Sequence, residues 1–190
     1  MILDPKTNLS FSKSQIALEY AYRWLEQSLE HSVFWVHATN TARFEEAYKR
    51  IALECDIPGR QDPKEDMMQI VRNWLENKYR CMWLMVVDNV DDIKAFFKEK
   101  NSFGKSLSEY LPQCSRGSIV YTTRDRRAGV NLVPGRDPII VHSMSFVEAH
   151  LLLGEKVRGK STEEEQKELL EALDYLLLAI SQSVAFMAKR

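Results

Sequence analysis

The sequence predicts an α/β fold, a parallel sheet flanked by helices that continues into a purely helical segment. Three observations carry this. Short strand-like runs alternate with helical patterns along most of the chain. After Met144 the strand-like runs stop. The run "CMWLMVVDNVDD" is apolar without interruption until it ends in acid, and a strand apolar on both faces belongs in a buried parallel sheet with helices on each side.

The elements follow in order. From Lys13 to about Glu30, Ile16, Ala17, Tyr20, Ala21, Trp24 and Leu25 recur at helical spacing. "SVFWVHA" is a short aromatic and β-branched run between polar residues, hence a strand. "TNTARFEEAYKRIALEC" forms a second helix with Phe44, Ala47, Tyr48, Ile51 and Ala52 on one face. A third helix is expected to start with Asp62 as cap and Pro63 at the first helical position, and it carries Ile70, Val71, Trp74 and Leu75. "WLMVVD" is the buried strand, a short helix spans Ile93 to Phe97, and "SIVYTTR" and "PIIVHSM" are further strands. Gly129 to Pro138 reads as a loop. "SFVEAHLLLGEKV" and "TEEEQKELLEALDYLLLAISQSVAFMAKR" read as two helices, the second opened by a capping box of Thr162 with Glu165.

Bulk properties narrow the function. The chain has 190 residues, 45% hydrophobic and 28% charged, enough for one globular domain with a small appendage. A formal net charge of -1 gives no electrostatic footprint for nucleic acid or an anionic membrane. Cys55, Cys81 and Cys114 lack metal-site spacing and read as free thiols of a reducing compartment. The start "MILDPKTN" has no signal-peptide pattern, and no apolar run reaches the length of a membrane span. The expectation is a soluble cytoplasmic protein with no nucleic-acid or membrane partner.

Four residues carry candidate chemistry. Lys13 and Ser14, in "LSFSKSQIALEY", open a long helix as the last residues of G-x-x-x-x-G-K-[ST] do, where glycine backbone amides close around phosphate oxygens. Lys13 reads either as a phosphate ligand or as an exposed first-turn lysine, and Ser14 as a magnesium ligand or a helix cap. Asp88 ends a strand at the crevice where open α/β sheets bind ligands. It is placed to hold magnesium beside a triphosphate, or to cap a turn in "DNVDD". Arg124, ending "SIVYTTR", enters the same crevice as a bidentate phosphate contact or lies on the surface in "RDRR". The order lysine-serine, acid, arginine along a β/α pattern favours the joint reading. "FGKS" at Phe103 to Ser106 follows no apolar strand and reads as a loop. His31, His37, His142 and His150 are scattered, and Trp24, Trp35, Trp74 and Trp83 read as core aromatics.

The longer stretches resemble the NB-ARC module of STAND-type nucleotide switches, particularly those of filamentous-fungal NLR-like proteins. "KSQIALEYAYRW", "SVFWVHATNTARFEEAYKRIA", "WLMVVDNVDD", "LSEYLPQCSRGSIVYTTRDRRAG", "MSFVEAHLLL" and "LDYLLLAISQSVAFM" are similar to successive segments of that module. The resemblance covers the chain from about Ser10 onward. It implies a P-loop NTPase-like nucleotide-binding domain over residues 1–145 and a partial helical ARC-type subdomain over 146–190. It also implies ADP or ATP with Mg2+ as cofactor, ADP holding a closed form and ATP favouring opening and assembly. The residues it assigns to the cofactor are Ser12, Lys13, Ser14, Gln15 and Arg124, with Ser14 and Asp88 on the metal. Partners would be flanking or partner signalling domains, with homo-oligomerisation on activation.

Departures from the pattern temper the activity implied. Thr7 and Ser12 stand at the two loop glycines, where strained non-glycine backbone costs on the order of a few kcal/mol. Asn89 replaces the second strand-end acid, Leu177 a nucleotide-contacting proline, and Asp174 a frequent glycine. The fold needs a hydrophobic central strand before the phosphate loop, yet only "MIL" ahead of Asp4 and Pro5 can supply it, and proline has no ladder donor. The expectation is therefore a sheet with a weak or missing central first strand, and a nucleotide-binding switch that is at most a slow ATPase. The alternative is a pseudo-NTPase scaffold, or a truncated fragment, acting through protein contacts without nucleotide.

Overall fold

The computed structural model describes residues 2–3, 10–62, 64–142, 144–157, 161–175 and 177–187. Five parallel strands form one sheet: β1 (Ile2–Leu3), β2 (Ser32–His37), β3 (Trp83–Asp88), β4 (Gly117–Thr123) and β5 (Ile139–Ile140), in spatial order β2-β3-β4-β1-β5. The α/β class with a P-loop-like parallel sheet is thus present. Its central strand is there too, reduced to two residues: Ile2 and Leu3 pair with Thr122 and Thr123 on one side and Ile139 and Ile140 on the other.

The helices divide between the two faces. On β3 alternate side chains part company: Leu84 and Val86 pack with Ala17 and Ala21 of α1 (Ser10–Glu26). Trp83, Met85 and Val87 pack on the opposite face. There they meet α2 (Thr41–Glu54), α3 (Met67–Asn77) and α4 (Ile93–Phe97). All six residues of β3 are buried, as the uninterrupted apolar run requires. The five residues read as the inner face of α2, Phe44, Ala47, Tyr48, Ile51 and Ala52, are the buried ones. A 3-10 turn (Leu107–Tyr110) closes the second face, and Tyr48 donates its hydroxyl hydrogen to the Tyr110 carbonyl at 2.9 Å.

Several boundaries differ from expectation. The cap of α3 is Asp66, whose side chain accepts from the Gln69 amide, and not Asp62. Asp62 is spent in the preceding turn, where its carboxylate accepts from the Lys64 amide; Pro63 lies outside the described residues. The first residues of the expected loop, 129–132, instead end a helix, α5 (Arg126–Leu132), capped by Asp125 on the Arg127 amide. The last helical stretch is two helices, α7 (Glu163–Ala172) and α8 (Leu177–Met187). They are separated where Asp174 and Tyr175 take φ of 50° and 53°, a left-handed turn that a continuous helix cannot contain. That conformation favours glycine, and Asp174 adopts it with a side chain. The capping box of Thr162 and Glu165 is formed, and "FGKS" is a loop. Helices α6 (Phe146–Val157), α7 and α8 share a core of their own: Ala149, Leu153, Leu170, Ile180 and Val184. Among the described residues no helix is long and apolar enough to cross a membrane.

Gly117 opens β4 directly against the indole of Trp83. A Cβ there would fall 2.0 Å from a ring carbon, far inside van der Waals contact. Gly117→Ala is expected to cost about 1–3 kcal/mol through overpacking, measured as a lower urea midpoint. In a Trp83→Leu background, where the ring is gone, the same Gly117→Ala change should cost less, as a double-mutant cycle would show. An unchanged midpoint in Gly117→Ala would contradict this packing.

Candidate functional site

Sheet topology fixes where a ligand crevice opens. Helix α1, which lies between β1 and the far edge strand β2 in sequence, packs on one face, and the helices after β2 and β3 cover the other. Such a reversal leaves a crevice beyond the carboxyl ends of the central strands. One rung crosses the sheet at that end. His37 of β2 is level with Asp88 of β3, and Thr122 of β4 is level with Ile2 of β1. Since Val87 aligns with Tyr121, the next residues, Asp88 and Thr122, face each other.

Asp88 is the hub of this rung. Its side chain points toward the α1 face, because it continues the parity of Leu84 and Val86, and it is 3% exposed. Oδ1 accepts hydrogen bonds from two hydroxyls, Ser14 at 2.7 Å and Thr122 at 2.6 Å. Thr122 Oγ1 in turn accepts from the Asn89 amide at 2.9 Å, which stabilises the left-handed backbone of Asn89 (φ 61°). Oδ2 faces Nδ1 of His37 across 3.6 Å, beyond hydrogen-bond length.

The expected site residues fall into two groups. Lys13, Ser14 and Asp88 come together: Lys13 is the fourth residue of α1 and is wholly buried, and Ser14 follows it onto Asp88. The readings of Lys13 as an exposed first-turn lysine and of Ser14 as a helix cap do not describe this arrangement. Gln15, one residue further, has a buried Oε1 without a hydrogen-bond partner. Ser12 lies in the first turn of α1, its side chain outside the described residues, and Thr7 lies outside them altogether. Arg124 does not join the group. Its Nε donates to Asp91 Oδ2 and its backbone amide to Asp91 Oδ1, both at 2.7 Å, and its side chain stays about half exposed.

Sequence reasoning missed Thr122, Asp91 and His37. Each is a non-local partner: its role depends on strand register or on a contact across the sheet end. The parity of the apolar run in β3 was the one available signal, since it sets the face of Asp88.

Chemically, Asp88, Thr122 and Ser14 bring together a carboxylate and two hydroxyls, all hard oxygen donors, and buried Lys13 precedes Ser14 on the same helix. Removing the Thr122 hydroxyl would take away the acceptor of the Asn89 amide hydrogen bond and one donor from Asp88. Thr122→Val is expected to lower unfolding free energy by about 1–3 kcal/mol, the cost of a buried polar group losing its partner. Thr122→Ser, which keeps the hydroxyl, should recover most of it in the same urea titration.

No family model matches the chain. It is 33% identical over 185 residues to a protein of Hyaloscypha variabilis described as a nucleotide-binding leucine-rich repeat (NLR)-like protein. That alignment takes in 92% of this chain and 18% of the relative, so the chain spans about a fifth of the protein it matches. The chain is therefore related in sequence to one segment of an NLR-like protein.

Proposed function

We propose that the chain is an ADP- or ATP-binding switch module of an NLR-like signalling protein, with weak or no hydrolysis. The observation that carries the reading is the Ser14–Asp88 hydrogen bond of 2.7 Å beside wholly buried Lys13, at the start of the helix that follows the central strand. The similarity to a relative described as nucleotide-binding supports it.

The residues present fit Mg2+ and a phosphate chain. Hydroxyl and carboxylate oxygens are the donors magnesium takes, directly or through retained waters. The first turn of α1 carries no acidic side chain, so its partial positive charge is left for an anion. Attraction between the Lys13 ammonium and phosphate oxygens is little screened at a buried position. Gln15 Oε1 is a buried acceptor that a bound hydroxyl or water would satisfy. On this reading Lys13 holds the β- and γ-phosphates, and Ser14 and Asp88 hold the metal. When bound, Mg2+ would neutralise phosphate charge. Arg124 reports a terminal phosphate only by giving up Asp91, so its present ion pair belongs to a state without that contact. Asn89 follows Asp88 and has no carboxylate to orient an attacking water, which supports slow turnover or none.

Calorimetric titration with ADP and with Mg-ATP tests the reading. Wild type should bind both. Lys13→Ala should weaken binding by about ten- to a hundredfold, the equivalent of a charge-assisted hydrogen bond of about 1.5–3 kcal/mol. Asp88→Asn should abolish the gain in affinity that magnesium gives. Failure of wild type to bind either nucleotide, or equal binding by Lys13→Ala, would overturn the switch reading and leave the scaffold reading.

A further inference from the structure

On the sheet face opposite α1, a cleft of about 630 Å3 opens between α2, the segment leading into α3, and the loop at 101–103. Its volume is in the range of built ligand sites, about 300–1,000 Å3. Ala52, Met67 and Met68 line it with apolar surface. Two large apolar side chains stand at it largely in water, Leu53 at 68% exposure and Phe103 at 48%. Methionines adapt their shape to an incoming side chain better than branched residues do.

The surrounding charge has a sign. Glu45, Asp62 and Glu65 line the cleft from two different elements. A fourth carboxylate, Asp66, is engaged by the Gln69 amide and the Tyr110 hydroxyl. Of the cations there, Arg60 is engaged by the Asp56 carboxylate and the Ile57 carbonyl, which leaves Lys49 against Glu45, Asp62 and Glu65. The wall carrying Phe103 is fixed in place. Asn101 donates to the Tyr110 hydroxyl at 2.8 Å and accepts from the amides of Phe103 and Lys105 at 3.1 and 3.2 Å. Tyr110 donates to Asp66, the cap of α3, at 2.7 Å. Burial, and then the bond to Asp66, push the Tyr110 phenol well above its ordinary pKa, so this donor persists across the neutral range. A wall ordered before binding saves the entropy that a loose loop would lose.

We propose that this cleft docks a peptide segment of a partner protein in which one large apolar side chain is flanked by lysines or arginines. The apolar residue enters between Leu53, Met67 and Phe103, and the flanking cations meet Glu45, Asp62 and Glu65. Carboxylates distributed over α2 and the segment before α3 suit charges spaced along a chain better than a single compact cation. The cleft lies across the sheet from Ser14 and Asp88, and the inference does not rest on nucleotide binding.

Fluorescence anisotropy with two labelled synthetic peptides tests it, one of leucine and lysine in a helical pattern and one with glutamate for lysine. The leucine–lysine peptide should bind and the leucine–glutamate peptide should not. Leu53→Ser and Phe103→Ser, both at exposed positions, should each weaken binding by about tenfold, as losing a buried large apolar contact does. Glu65→Lys should weaken it and flatten its salt dependence. Equal binding by the Leu53→Ser/Phe103→Ser double variant would reduce the contact to general charge attraction and overturn the proposal. So would wild type running as a dimer on size-exclusion chromatography and the double variant as a monomer, since the occupant would then be a second copy.

Discussion

Asp88 Oδ1 takes one hydrogen bond from α1 through Ser14 and one from β4 through Thr122, and through this atom helix, central sheet and crevice are held in one geometry. A carboxylate at 3% exposure is costly to bury unless its lone pairs are filled. Two hydroxyls engage Oδ1 and hold the carboxylate in one orientation. The Asn89 backbone, in a left-handed conformation that a β-branched residue would resist, depends on the same Thr122 oxygen. Neighbouring Asp91 binds Arg124, so the segment after β3 also fixes the arginine that follows β4.

The two faces of the sheet do different work. On the α1 face the core is light, with Ala17 and Ala21 letting the helix lie close enough for Ser14 to reach the strand end. On the other face the core is large and aromatic: Phe44 stacks on Tyr48 with centroids 4.8 Å apart, and Phe96 meets Phe44 edge-on at 6.1 Å. Most apolar burial therefore supports the side away from the crevice. A site built on the lighter face can change its contacts without disturbing the larger core.

What the sequence made legible was whatever is local. The buried character of β3 and the inner face of α2 are written in apolar spacing, and both are observed. The capping box of Thr162 is equally local. Legibility failed where two local signals competed or where the partner was distant. Asp62 and Asp66 are both good caps, and the turn at Asp62 decides between them. Apolar spacing alone runs through residues 173–176, although the backbone turns left-handed at Asp174 and Tyr175. Lys13, Ser14 and Asp88 were found because helix start and strand end are sequence signals, whereas Thr122 and His37 become visible only through register.

The two-residue strand β1 sets how the ends of the chain communicate. Strands β2, β3 and β4 form a contiguous ladder of six and five registered pairs. By contrast, among the described residues β5 is hydrogen-bonded into the sheet through the two pairs it makes with β1. Ile2 and Leu3 thus act as a wedge whose insertion clutches β5, and the helices that follow it, to the sheet. Withdrawal of so short a wedge breaks few hydrogen bonds and leaves the β2–β3–β4 ladder whole. Parting β1 from β4 would release β5 beside the helix start that carries Lys13 and Ser14.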